Sequence, residues 1–198
     1  VLSMHGDDSG LVLPYAITPV QVVIVPFDGK GVSEAVEKIA KDLRVKGIEV
    51  KVDGSDKRPG EKFFFWEMKG VPFRIDVGAK ELESGEVSVF VRDSKEKVSV
   101  EMKGLAKSIE KMGREYDGRL LAKADLFFED KVVDCEDKDS MKSVLDSGKI
   151  ARFSFCSVDA DGESCADVIA KKFGAEVRGV RADLDEVAEG VCVVCGEK

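Results

Sequence analysis

The sequence predicts an α/β fold: a mixed five-stranded sheet with flanking helices, followed by a small α/β unit that carries all five cysteines. Three observations lead there. Gln21 to Phe27 is a continuous β-branched run, typical of a strand buried on both faces. Gly31 to Gly47 repeats apolar residues at helical spacing (Val32, Ala35, Val36, Ile39, Ala40, Leu43), with Gly47 as its stop. Three later stretches, opening at Phe73, Glu86 and Glu96, alternate apolar with polar residues as sheet strands do.

Taken in order, Ile48 to Asp53 supplies a second strand, so that strand, helix and strand imply a right-handed crossover and a parallel pair. Asp28-Gly29-Lys30-Gly31 lacks the third glycine of a phosphate cradle and reads as a turn. Arg58-Pro59-Gly60 opens a short helix whose Phe63, Phe64 and Trp66 are expected in the core, with Phe65 left as a stacking platform. Gly70 ends that helix, and Pro72, which cannot donate to a ladder, starts the next strand. In that strand, Phe73 to Val77, the alternation predicts Phe73, Ile75 and Val77 inward and Arg74 and Asp76 outward. Glu86 to Asp93 and Glu96 to Met102 form a hairpin, with Arg92, Lys95 and Lys97 as a basic rim. A long helix follows from Leu105 to about Glu129, with Leu105, Ile109, Met112, Leu120, Ala124 and Phe127 apolar. The second unit opens near Asp134, with a helix over Met141 to Gly148 and a strand over Lys149 to Cys156.

At 198 residues, 43% hydrophobic and 35% charged, the chain suits one large or two small soluble domains. No apolar run approaches the ~20 residues of a membrane helix, so no membrane partner is expected. A net charge of −8 argues against sequence-blind binding to DNA or RNA, which needs many phosphate contacts, but leaves room for reading a few splayed bases. Glu67, Arg74, Lys80 and Glu81 fall at the edges of the Phe73 strand. Such a set is either a solvated charged rim or a reader of a nucleobase edge, since guanine offers donors on its Watson–Crick edge and acceptors at O6 and N7. His5 beside Asp7 and Asp8 reads as structural rather than as a metal ligand.

Five cysteines, an odd number, make a disulfide scaffold unsuitable and fit a reducing, cytoplasmic setting. Cys156, Cys165, Cys192 and Cys195 stand as Cys-x8-Cys and Cys-x2-Cys-Gly. The last pair is a knuckle that brings two thiolates to one metal, and four thiolates in tetrahedral array favour Zn²⁺. A reduced core with buried thiols explains Cys135 but not the knuckle.

The run Trp66-Glu67-Met68-Lys69-Gly70-Val71-Pro72-Phe73-Arg74-Ile75-Asp76-Val77-Gly78-Ala79-Lys80-Glu81-Leu82 resembles the anticodon-domain signature of prolyl-tRNA synthetases of the archaeal and eukaryote-like type. Gly78-Ala79 stands where Gly-Pro is usual. The resemblance implies that Glu67, Arg74, Lys80 and Glu81 contact anticodon guanines. Met4 to Pro14 resembles the run closing the catalytic domain of the same family, with Tyr15 replacing a second proline. On that basis, residues 1–20 are expected to be the tail of a class II catalytic domain, 21–133 the anticodon-binding domain and 134–198 a C-terminal zinc-binding domain. The chain is then the C-terminal fragment of a longer enzyme. The family also carries a C-terminal zinc domain ending in a Cys-x-x-Cys-Gly pair, usually with a closer first pair, so 157–164 is expected as an inserted loop. The resemblance further implies tRNA(Pro) as partner, with ATP and Mg²⁺ serving only the parent enzyme, a cytoplasmic homodimer. Two other readings stand beside it: the related anticodon domain of another class II synthetase, and a zinc-stabilised protein-interaction module.

Overall fold

The computed structural model describes residues 2–157, 159–181 and 187–197. It divides into two compact units, 1–124 and 125–198, and the division falls inside one helix. Among the described residues no helix is long and apolar enough to cross a membrane.

The first unit opens with α1 (Leu2–His5), and residues 10–13 then run against the exit of α3 (Pro59–Met68). Its sheet has the order β2-β1-β3-β4-β5, with β1 (Val22–Pro26) parallel to β2 (Val50–Val52) and β3 (Phe73–Val77). β4 (Glu86–Val91) and β5 (Glu96–Glu101) continue it antiparallel. The mixed five-stranded sheet is therefore as the alternation predicts. Helix α2 (Val32–Val45) forms where the apolar stripe lies, burying Val32, Val36, Ile39, Ala40 and Leu43. These meet Ile24, Phe73, Ile75, Val89, and Ile109 and Leu120 of α5 (Leu105–Lys131) in the larger core. Each fully buried side chain of this size contributes about 1.5–3 kcal/mol. On the other face Val23, Val25 and Val71 pack with Phe63 and Trp66 of α3. The short α4 (Ala79–Ser84) follows β3.

In four places the first unit departs from the expected pattern. All five residues of β3 are buried, Arg74 and Asp76 included, because neighbours flank the strand on both edges and α3 covers the face they occupy. Arg92, expected on an exposed rim, is wholly buried. Phe64 is 62% exposed: α3 turns Phe63 and Trp66, three residues apart, toward the sheet and leaves Phe64 off that face. Val98 lies on the edge strand β5 and is also exposed.

The second unit has a smaller frame. β6 (Val132–Asp134) pairs parallel with β7 (Ile150–Arg152), and α6 (Lys138–Asp146) begins at Asp137, whose carboxylate accepts from the Ser140 backbone N–H. Cys135, Met141 and Ile169 form its buried core. The strand expected over Lys149 to Cys156 shrinks to three residues, since Ser154 and beyond serve the cysteine site instead: the Ser154 carbonyl accepts from Val193 N–H. Phe127, expected on the apolar face of α5, is 51% exposed. The expected inserted loop contains a 3₁₀ turn (Ala160–Gly162), and its Val158 lies outside the described residues. Helix α7 (Glu163–Phe173) follows, unforeseen in the sequence, and puts Cys165 in its first turn.

Candidate nucleic-acid interface and metal centre

Glu67 is in the last turn of α3 and Arg74 on β3, seven residues apart but joined through a tight reversal at Gly70. Gly70 has φ 74°, and a Cβ there would lie 2.8 Å from Cβ of Leu11, so both conformation and space demand glycine. The reversal folds Arg74 beneath α3. Its Nη1 donates to Glu67 Oε1 at 3.0 Å and its Nε to Asp76 Oδ1 at 3.0 Å. The guanidinium lies 3.6 Å from the Phe63 ring centre and 4.5 Å from that of Phe90, its partner across the β3–β4 ladder. A planar cation that stacks and forks at once is a task for arginine, not lysine. Asp76 Oδ2 takes a further contact from Lys97 Nζ at 3.4 Å.

Glu67 and Arg74 differ in access. Arg74 is 4% exposed and Glu67 26%, so the carboxylate is the member that solvent or a ligand can reach. Its Oε2 makes no hydrogen bond among the described residues, and Nη2 of Arg74 makes none either. Without Glu67 the buried guanidinium still has Asp76 at 3.0 Å, so losing the Glu67 contact removes one charged hydrogen bond, worth about 1.5–3 kcal/mol, and strands no charge.

The other expected site residues stand apart from this pair. Lys80 is exposed on α4. Glu81 Oε2 accepts the Gly78 N–H at 3.0 Å, capping the start of α4, and Oε1 is left for other contacts. Phe65 is half-buried, edge-on to Trp66, with Lys57 and Lys69 amines 5.2 and 5.7 Å from its ring centre. Trp66 donates Nε1–H to Asp53 Oδ2 at 2.7 Å. Sequence reasoning missed Phe63, Asp76, Phe90 and Lys97 as members of the cluster. The charged residues two apart on β3 were the available signal; the covering helix that turns them inward was not.

In the second unit the four Sγ atoms of Cys156, Cys165, Cys192 and Cys195 lie within 4.8 Å of one another, so the cluster can hold a metal ion. The final pair is a true knuckle. Gly196 N–H donates to the Cys192 carbonyl at 2.9 Å, Gly196 has φ 79°, and Val194 N–H points to Cys192 Sγ at 3.4 Å. Burial pushes the Cys192 thiol up, but backbone N–H groups of Cys195, Val194 and Cys156 outweigh it and draw the thiol down to about 6. Cys135 sits in the core outside the cluster, its thiol pushed up mainly by burial.

Residues 21–112 match the family model for the anticodon binding domain. Along 97% of its length the chain is 37% identical to a proline--tRNA ligase of Nanoarchaeum equitans, covering 35% of that protein. It is also 37% identical, over 99% of its length, to the proline--tRNA ligase of Thermofilum pendens, covering 41%. The prolyl-tRNA synthetase of Cryptosporidium parvum, solved with L-proline and AMP, superposes with a TM-score of 0.88 at 30% identity, over 99% of this chain and 42% of that one. That of Giardia lamblia, with prolyl-adenylate, gives 0.88 at 32% identity, over 99% and 44%. The chain thus spans well under half the length of these relatives. The matched segment, the sheet and the identity along the whole chain agree: residues 21–112 form an anticodon binding domain, and the chain is similar along its whole length to prolyl-tRNA synthetases.

Proposed function

We propose that this chain reads the anticodon of proline tRNA as part of a proline--tRNA ligase, whose full chain uses ATP and Mg²⁺ to attach proline. The observation that carries the reading is the Glu67–Arg74 pair. A carboxylate held at one oxygen by a buried arginine that packs against two aromatic rings keeps its other oxygen preorganised as an acceptor. Guanine presents N1–H and N2–H₂ donors that suit such an acceptor, and adenine does not. Phe65, with two ammonium groups near its ring, serves in this reading as a separate stacking platform, and Lys80 and Glu81 as a further donor and acceptor on α4. The comparisons support this reading over an interaction module or another synthetase's domain.

For the four-cysteine cluster we propose structural Zn²⁺. Zinc bonded to four thiolates at about 2.3 Å needs sulfurs ~3.8 Å apart, a small contraction from the present spread. Four protein ligands fill a tetrahedral ion and leave no position for catalysis. Reduced thiols of this kind fit a cytoplasmic enzyme, and the parent is proposed to be a homodimer.

Binding to proline-tRNA transcripts, native and with the anticodon guanines replaced, at two salt concentrations tests the reading. A loss confined to the replaced transcripts, with a shallow salt slope, is expected. Equal and steeply salt-dependent binding to both refutes it.

A further inference from the structure

We propose that Asp7 and Arg92 are positioning residues for base recognition: together they hold the backbone of Glu67 and so set where its carboxylate meets a base. The proposal rests on the reading of Glu67 as the base-contacting residue. Arg92 follows β4 directly and its side chain is wholly buried. Three of its nitrogens are committed. Nη1 and Nη2 fork onto the two oxygens of Asp7 at 2.9 and 2.6 Å, and Nε donates to the Glu67 carbonyl at 3.0 Å. That carbonyl also accepts Gly70 N–H at 3.0 Å, so both of its lone pairs are engaged. Arg92 itself is anchored to the sheet through its N–H on the Pro72 carbonyl at 2.9 Å, one residue before β3.

One residue therefore ties the start of the strand that carries Arg74, through its backbone N–H, to the helix turn that carries Glu67, through its side chain. The Glu67–Arg74 distance depends on the height of that turn above β3. The segment around Asp7 lies flush with the same turn: Leu11 N–H donates to the Met68 carbonyl at 3.1 Å and Leu13 N–H to that of Gly70 at 3.4 Å. A Cβ on Gly10 would come within 2.5 Å of Met68 Cα, so only glycine allows the approach. Lys95 Nζ, at 3.2 Å from Asp7 Oδ2, completes the clamp from the β4–β5 turn. Charge is what makes the clamp specific. Without Asp7 the buried guanidinium has no carboxylate within salt-bridge distance among the described residues, and its fork is free to turn away from the Glu67 carbonyl.

The test is a double-mutant cycle in the 198-residue chain, with Asp7→Asn, Glu67→Ala and the pair. The readout is the ratio of affinities for native and guanine-replaced proline-tRNA transcripts, with the melting temperature of each variant recorded. Asp7→Asn is expected to lower that ratio about tenfold when Glu67 is present and to change nothing once Glu67→Ala is in place. A purely structural role would lower stability while leaving the ratio untouched, or would act equally in both backgrounds; either result overturns the proposal. No effect of Glu67→Ala alone overturns the base-reading assignment, and the clamp with it, and is distinct from failure of the clamp alone. Where Asp7→Asn does not fold, Arg92→Lys keeps the charge and loses the fork. The cycle is then run with that variant, and the same results support or overturn the clamp.

Discussion

In the first unit the candidate site rests on five strands whose core holds Val22, Ile24, Phe73, Ile75 and Val89 with almost no exposure; in the second, four cysteines rest on two three-residue strands and a buried core of Cys135, Met141 and Ile169. The first frame is large enough to hold buried charges in place, because apolar burial offsets the desolvation of Arg74, Asp76 and Arg92. The second has a much smaller buried core, and the proposed metal would staple the cysteine loops that this core leaves at its edge. One unit preorganises its site by folding; the other is expected to fold around its site.

The largest effect expected from that contrast is on metal removal. Chelation, or Cys192→Ser, should unfold the second unit and leave the first unit's sheet and tRNA affinity intact, since structural zinc supplies on the order of 10 kcal/mol to such units. Circular dichroism with limited proteolysis checks it; simultaneous loss of both units would erase the contrast.

Next comes the Asp7–Arg92 clamp. Asp7→Asn should cost about 2 kcal/mol of first-unit stability in denaturant melts. The hydrogen bond from Arg92, opposed by burial and helped by Ser9 N–H and Lys95, holds the Asp7 carboxyl well below the usual carboxylate range. A depressed folded-state value means that its stabilisation is fully present above the unfolded value, near ~4, and is lost as pH falls toward the folded value. The wild-type protein should therefore lose stability on acidification below about pH 4 more steeply than the Asp7→Asn variant.

Glu67→Ala should cost about 1–3 kcal/mol in affinity for the native transcript and close to nothing for a guanine-replaced one, measured by filter binding or anisotropy. The smallest effect is expected at Lys95, which has φ 60° and is the one non-glycine residue with positive φ among those described. Lys95→Gly relieves ~1 kcal/mol of backbone strain but loses a half-exposed ion pair of similar size, so the melting midpoint should barely move.

The sheet and its two principal helices were legible because their signals are local. Alternation over Glu86–Val91 and the stripe on α2 follow from the periods of strand and helix. The Cys-x2-Cys-Gly knuckle was legible for the same reason, since its turn spans only a few residues. What could not be read was the side of the sheet that α3 covers. That placement turned Arg74 and Asp76 from an expected exposed rim into a buried cluster, and gave Arg92, expected in solvent, two partners 25 and 85 residues away. Helix α7 is short and its apolar stripe, Cys165, Ile169 and Phe173, counts as one only when Cys165 is read as a buried residue as well as a candidate metal ligand.

By itself the sequence determined the strand and helix periods, the glycine turns at Gly70 and Gly196, the four candidate metal ligands and the family signature around Glu67 and Arg74. Each of these is a matter of spacing along the chain. Only the tertiary structure decided that Glu67 is the reachable partner and Arg74 the buried one, that Glu81 caps a helix, and that Asp7 is bound to Arg92. These depend on which surfaces are removed from water together, and burial converts an ordinary surface charge into one that must find its partner, however distant in sequence.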